Sequence, residues 1–179
     1  MKSMILKFLK KTRLIGKKDE IEAYRKNGVK IGENCKFYNV NLDNGHGYLI
    51  EIGDDCTLTN CIVLSHDAST KYYFGKSKVG KVKIGNRCFI GMQSIILPNI
   101  NIGDDCIIGA GTIVTKNIPS NSVVAGNPAK IIMSTAEFKK KHAIYMKEKP
   151  VFNTYWKYKT EKDKMKEKEL LKDTFGYDE

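Results

Sequence analysis

The chain has 179 residues, 41% of them hydrophobic and 28% charged, which fits one folded domain with appendages and excludes a disordered or collagen-like polypeptide. Its net charge of +11 is uneven: residues 1–30 carry +7, residues 31–132 carry +1 and residues 133–179 carry +3. A duplex binder carries its charge as a patch on the folded body, so a nearly neutral body with basic ends argues against nucleic acid as a partner.

In chain order, the first segment reads MKSMILKFLKKTRLIGKK. As a helix it sets Met4, Ile5, Phe8, Leu9 and Ile15 on one side and lysines around the remainder, which suits weak contact with an anionic membrane surface. The competing reading is that this apolar face packs on the body and caps it. The apolar run is too short for a signal peptide, and no stretch approaches the ~20 residues that span a bilayer. A cytoplasmic protein, peripheral to a membrane at most, is therefore expected. A helix follows over residues 19–27, with Gly28 as its stop.

From Ile31 onward the chain repeats every six residues. Ile84, Ile90, Ile96, Ile102, Ile108 and Val114 form one series, and Cys88, Ser94, Ile100, Cys106, Thr112 and Ile118 form a second, four positions later. Ile52, Leu58 and Leu64 carry the first series upstream, with Cys56, Ile62 and Ala68 in the second; Ile31, Cys35 and Phe37 begin it. A period of six fits neither a helix nor a plain alternating strand. It fits a short strand and a corner, three of which close an 18-residue coil, with coils stacked at the ~4.8 Å strand spacing. The predicted architecture is an all-β core, a parallel β-helix of hexapeptide repeats with short helical ends. Cys35, Cys56, Cys88 and Cys106 fall in the inward slot and only Cys61 is off phase, so the cysteines are read as packing residues, not as disulfides or a metal site.

Two slips break the period. One covers residues 43–51, around NGHGYL; the other is a long loop over residues 69–83 that contains Tyr72, Tyr73 and Phe74. Excursions from a rigid coil are where binding and catalysis concentrate. Past the coils, STAE at residues 134–137 and TEKD at residues 160–163 read as helix starts. The expected organisation is a basic helical extension over 1–30, a β-helix over 31–132 with an acceptor loop at 69–83, and a helical extension over 133–179.

The repeats, with the segment IGAGTIVTKNIPSNSVVAGNPAKII at residues 108–132, resemble the hexapeptide-repeat acyltransferases, nearest to the bacterial sugar O-acetyltransferases of polysaccharide and lipopolysaccharide synthesis. The resemblance, which covers about residues 28–133, implies a left-handed coil and a homotrimer with acetyl-CoA bound between subunits. It further implies a histidine general base acting on a saccharide hydroxyl. Within SHDAST, His66 resembles that base; His46 is the competitor and an acceptor-side residue, and His142 lies in a terminal helix. Asp67 is a candidate orienting partner only at a corner, since adjacent strand residues point to opposite faces.

By analogy the backbone N–H of Met92, after Ile90-Gly91, serves the oxyanion. The same resemblance implies that Gly91, Gly109, Ala110 and Gly111 admit a pantetheine arm. Thr115, Lys116 and Lys130 match positions at the coenzyme end. Tyr72, Tyr73 and Phe74 offer flat faces for a sugar acceptor. No metal is expected: a three-histidine zinc enzyme on this coil is disfavoured by having only His46 and His66 in the coil region. The runner-up activity is N-acetylation of an amino sugar or a xenobiotic, because the fold does not choose between hydroxyl and amine. A non-catalytic adaptor is the remaining class.

Overall fold

The computed structural model describes residues 17–179, so the segment expected at a membrane lies, apart from Lys17 and Lys18, outside the described residues. Two compact units divide between Thr135 and Ala136.

The first unit is a three-sided parallel coil. Its first face stacks β1 (Lys30–Ile31), β4 (Ile50–Ile52), β9 (Val82–Ile84) and β12 (Asn101–Ile102). A second face holds β2 (Lys36–Tyr38), β5 (Thr57–Thr59), β10 (Phe89–Ile90), β13 (Ile107–Ile108) and β15 (Ser122–Ala125). The third holds β3 (Asn41–Leu42), β6 (Ile62–Val63), β11 (Ile95–Ile96) and β14 (Ile113–Val114). Register pairs put like residues above one another, so three aliphatic columns run through the core. They are Ile31-Ile52-Ile84-Ile102, Phe37-Leu58-Ile90-Ile108-Val124 and Leu42-Val63-Ile96-Val114. Every one of these side chains is buried.

Corners use the left-handed backbone region in columns as well. Asn34, Asp55, Arg87, Asp105 and Asn121 all have φ between 54° and 62° at the corner between first and second faces. Asn and Asp tolerate that region best. Arg87 holds it while its guanidinium donates to Asp105 of the next coil at 2.8 and 2.6 Å.

The second and third faces are joined differently in different coils. Six residues separate Ile90 from Ile96, but only five separate Phe37 from Leu42 and Leu58 from Val63. Two expectations change as a result. Val63, not Leu64, fills the third aliphatic column, and Leu64 is only half-buried. Cys61 is in phase after all: it is buried two residues before Val63, as Val40, Ser94 and Thr112 are before their column residues, and Ile62 faces outward. Burial pushes the Cys61 thiol up to about 12. Ala68 lies outside the coil, and Ile118 bridges to Ile102 on the first face, because the last coil is two residues short. The stacked cysteines do more than fill space. Cys35, Cys56, Cys88 and Cys106 each donate S–H to a carbonyl of the next coil, at Gly53, Gly85, Gly103 and Pro119, over 3.0–3.2 Å.

Both open edges of the coil are covered. Helix α1 (Lys17–Lys26) lies over the first coil, where Arg25 donates to the carbonyls of Ile31 and Gly32, and Tyr24 Oη donates to Val40 at 2.9 Å. At the far end β16 (Lys130–Ser134) returns antiparallel on β15. The second unit contains most of α3 (Thr135–Glu148), β17 (Val151–Phe152) paired with β18 (Tyr177–Asp178), and α4 (Glu161–Leu170), which starts on a reciprocal Thr160–Asp163 capping box.

The shortened corner can be tested directly. Val63→Ala removes two buried methyl groups and should cost about 2 kcal/mol in urea unfolding, with Leu64→Ala costing clearly less. The opposite ranking would put Leu64 in the column.

Candidate active site

Leu42 and Val63 are register partners, and both slips leave the coil just after them, at the same corner. Leu42 is followed by ten residues of path to Ile52 in place of six, and Val63 by 21 to Ile84. The two excursions therefore begin one above the other. Asp43 N–H donates to Val63 O at 3.0 Å, which places the Asp43 side chain beside Ser65 and His66.

Asp43 is the hub of the site. Its side chain is 2% exposed. Oδ1 accepts the N–H groups of Gly45 at 3.0 Å and His46 at 3.2 Å, a local turn that Asp readily forms. Oδ2 accepts Ser65 N–H at 3.2 Å, Ser65 Oγ–H at 2.9 Å and His66 Nδ1–H. Burial alone pushes a carboxyl up; the hydrogen bonds from His66, Ser65, Gly45 and His46 outweigh it and hold Asp43 well below the usual carboxylate range. An ionised carboxylate only accepts, so His66 presents a proton on Nδ1 and, in its neutral form, a lone pair on Nε2. The His66 side chain is 37% exposed, enough for a substrate to reach it.

His46 stands beside this pair. Its ring centroid is 5.0 Å from that of His66, and its Nδ1 lies 3.9 Å from Asp43 Oδ1. That Nδ1 is buried and, among the described residues, has no hydrogen-bond partner. Asp43, His46 and His66 each bring one ligand-type atom within 4.8 Å of the others. Asp67 is displaced from its tentative role. It is exposed, and its Oδ1 accepts Ser69 N–H at 2.8 Å; the carboxylate on His66 comes from Asp43, 23 residues upstream. Only the pairing of Leu42 with Val63 could have revealed it, and that pairing is hidden by the two five-residue corners.

The long loop is an ordered hairpin. β7 (His66–Asp67) pairs antiparallel with β8 (Lys78–Val79), and a single helical turn, α2 (Lys71–Phe74), sits between them. Tyr72, Tyr73 and Phe74 are 86%, 78% and 76% exposed and touch one another edge to face or tilted. His66 thus opens the strand that leads to these aromatics.

The corner Gly91-Met92-Gln93 and its counterpart Gly109-Ala110-Gly111 occur only in the coils with the six-residue step. Gly91 and Gly109 donate their own N–H groups to Ile108 O and Val124 O, and Gly111 donates to Met92 O, each at 2.8 Å. A Cβ on Gly91 would come within 2.6–2.8 Å of Ala110 N, Ile108 O and Gly109 C. Glycine is required there by the next coil, so contact with a ligand is not needed to explain it. The N–H groups of Met92 and Ala110 meet no acceptor among the described residues. Gly111 (φ +68°) has open space on its side-chain face, and Thr115, Lys116 and Lys130 are exposed.

Because the folded pKa of Asp43 lies below the ~3.9 of an unfolded aspartate, the unfolded chain takes up that proton first as pH falls. The carboxylate's contribution to stability is complete above about pH 4 and is lost progressively below it. Urea unfolding of the wild type and of Asp43→Asn is expected to show a stability gap that is constant at neutral pH and narrows below about pH 4. A gap that does not change with pH would contradict the buried, hydrogen-bonded carboxylate.

Comparison with known proteins follows the same lines. The bacterial transferase hexapeptide family (six repeats) is matched over residues 81–116, the segment that contains β9 to β14. Protein CapG of Staphylococcus aureus is 40% identical over 148 residues, 79% of this chain and 83% of CapG. The crystal structure of a maltose O-acetyltransferase from Clostridium difficile 630 superposes with a TM-score of 0.51 at 31% identity, covering 63% of this chain and 73% of that one. A hexapeptide-repeat-containing acetyltransferase from Vibrio cholerae gives a TM-score of 0.52 at 18% identity, over 67% of this chain and 81% of that one, a likeness of fold. The three-sided coil, the match to the repeats and the extent of the likeness to CapG together establish that the chain belongs to the left-handed β-helix, hexapeptide-repeat acyltransferases.

Proposed function

We propose that the chain is an acetyl-CoA-dependent O-acetyltransferase that acetylates a hydroxyl of a sugar or surface-polysaccharide precursor, with His66 as general base. The observation that carries this reading is the Asp43–His66 pair: a buried, ionised carboxylate fixes the ring by Nδ1 and leaves Nε2 to accept a proton. A saccharide hydroxyl is a weak nucleophile until a base holds its proton in the transition state. The His66 tautomer does so without reorganising, and Asp43 stabilises the imidazolium that forms.

Acetyl-CoA, when bound, supplies an activated thioester carbonyl. The unengaged N–H groups at Met92 and Ala110 suit a carbonyl oxygen gaining negative charge and an amide-bearing pantetheine arm, respectively. Gly109 and Gly111 keep that corner low, while Thr115, Lys116 and Lys130 face solvent where phosphates are held. Tyr72, Tyr73 and Phe74 bind the acceptor by stacking on sugar faces, with His46 at its other side.

The functional unit in this reading is a homotrimer with sites between subunits. The outward row of the third face is Asn41-Ile62-Ile95-Ile113, half-buried and apolar along most of its length, whereas that of the first face is Lys30-Glu51-Lys83-Asn101. An apolar ladder of this kind suits a subunit interface. Among the described residues no helix is long and apolar enough to cross a membrane. The five unpaired cysteines suit the reducing cytoplasm, where the reading places the enzyme.

The test is thiol release from acetyl-CoA against a panel of sugars, nucleotide sugars and oligosaccharides. His66→Ala is expected to lower kcat by roughly 10²–10⁴ with the Kd for acetyl-CoA unchanged. Near wild-type turnover in this variant, with His46→Ala inactive, would move the base to His46.

A further inference from the structure

Two features of the site are not explained by the proposed acetyl transfer. One is the buried Nδ1 of His46, which among the described residues has no hydrogen-bond partner although a carboxylate oxygen lies 3.9 Å away. A buried polar nitrogen without a partner is unfavourable and calls for an explanation. The other is the convergence of His46, His66 and Asp43, with one ligand-type atom from each lying within 4.8 Å of the others.

We propose that Asp43, His46 and His66 form a binding site for a zinc-class divalent ion, and that the ion switches the base off by reversing the His66 tautomer. The donor set decides the class. Two imidazole nitrogens and one carboxylate oxygen suit zinc, cobalt or nickel, whereas magnesium and calcium call for oxygen ligands throughout. Three protein ligands leave a fourth tetrahedral position for water.

Several features are already in place for such an ion. The Asp43 carboxylate is buried and lies against both rings. Gly45, His46 and Ser65 fix its oxygens through backbone N–H groups and the Ser65 hydroxyl, the kind of outer support that orients metal ligands. Bonds of about 2.0–2.2 Å put tetrahedral ligand atoms roughly 3.3 Å apart, so the cluster must tighten around the ion and His66 must draw back from Asp43. Both imidazoles have the room, with side chains 31% and 37% exposed.

The consequence for chemistry follows from proton bookkeeping. In the free enzyme the Nδ1 proton of His66 is the one hydrogen-bonded to Asp43. With coordination through Nδ1, the ring nitrogen that faces Asp43, the ion takes that lone pair, so the proton leaves Nδ1 and one returns from solvent to Nε2, with none gained or lost overall. Nε2–H is then a donor and cannot take the acceptor hydroxyl's proton. The ion thus blocks catalysis without occupying the coenzyme corner at residues 91–92 and 109–111.

The inhibitory half rests on His66 being the base; the binding half does not, and the experiment separates them. Cobalt(II) is titrated into the full chain and followed by its visible tetrahedral absorption, with ring-nitrogen NMR of His66 recorded in the zinc form. One ion per chain is expected, with His66 protonated on Nε2. Acetyl transfer should be inhibited by zinc and restored by a chelator, with acetyl-CoA affinity unchanged. His46→Gln, checked for folding by circular dichroism, should weaken metal binding by more than the roughly 10–100-fold that follows loss of an outer-shell partner. His142→Ala, which alters the histidine in the second unit, should bind as the wild type does. A folded His46→Gln that binds cobalt normally would overturn the site, as would the absence of tetrahedral absorption in the wild type. Metal-bound His66 still protonated on Nδ1, or activation by zinc, would overturn the switch. Metal binding with the expected tautomer but no acetyl transfer to any acceptor would keep the site and count against the proposed activity.

Discussion

The constraint on which the rest of the molecule depends is the inter-coil hydrogen-bond register. In a coil of two- to four-residue strands, no strand is long enough to stand alone. Each backbone N–H and C=O must find its partner in the coil above or below, as Lys36 N–H finds Cys56 O and Thr57 N–H finds Cys88 O. Once coils are locked in this way, the side chain at each position is stacked on its counterpart. Aliphatic columns, left-handed asparagine and aspartate corners and the line of thiols all follow. Chain beyond the needs of one turn can only leave at a corner.

That restriction builds the site. Both excursions leave after register partners on the third face, Leu42 and Val63. Residues 22 and 23 apart in sequence are thereby brought side by side: Asp43 from one coil, Ser65 and His66 from the next. Neither excursion could assemble the pair alone. The first contributes a carboxylate tied into its own turn by two N–H groups, and the second contributes the imidazole and the hydroxyl that complete its coordination. The rigid coil fixes the distance between them, and the hairpin of residues 66–79 carries the aromatic cluster outward from it.

Much of this was legible in the sequence, because a period of six with glycine, asparagine and aspartate at corners has one structural solution. The columns from Ile84 to Val114, the inward cysteines and the helix over the first coil could be read from spacing and residue type. So could the position of His66, at the edge of a long excursion. Two five-residue corners defeated the count upstream. They shift the phase by one residue without any break in hydrophobicity, since Cys61, Ile62, Val63 and Leu64 are all apolar. The same slip hid Asp43, and adjacency in sequence brought Asp67 forward in its place. Gly91 shows the converse: its identity was legible as important, but the backbone of the next coil supplies the reason.

The central claim is that Asp43 acts through His66 and through nothing else in catalysis. The most direct measurement is a double-mutant cycle on kcat/KM with Asp43→Asn, His66→Ala and the combined variant. The account predicts a large loss from Asp43→Asn in the wild-type background and almost none once His66 is already alanine. Losses that multiply, leaving the double variant much weaker than His66→Ala, would contradict it.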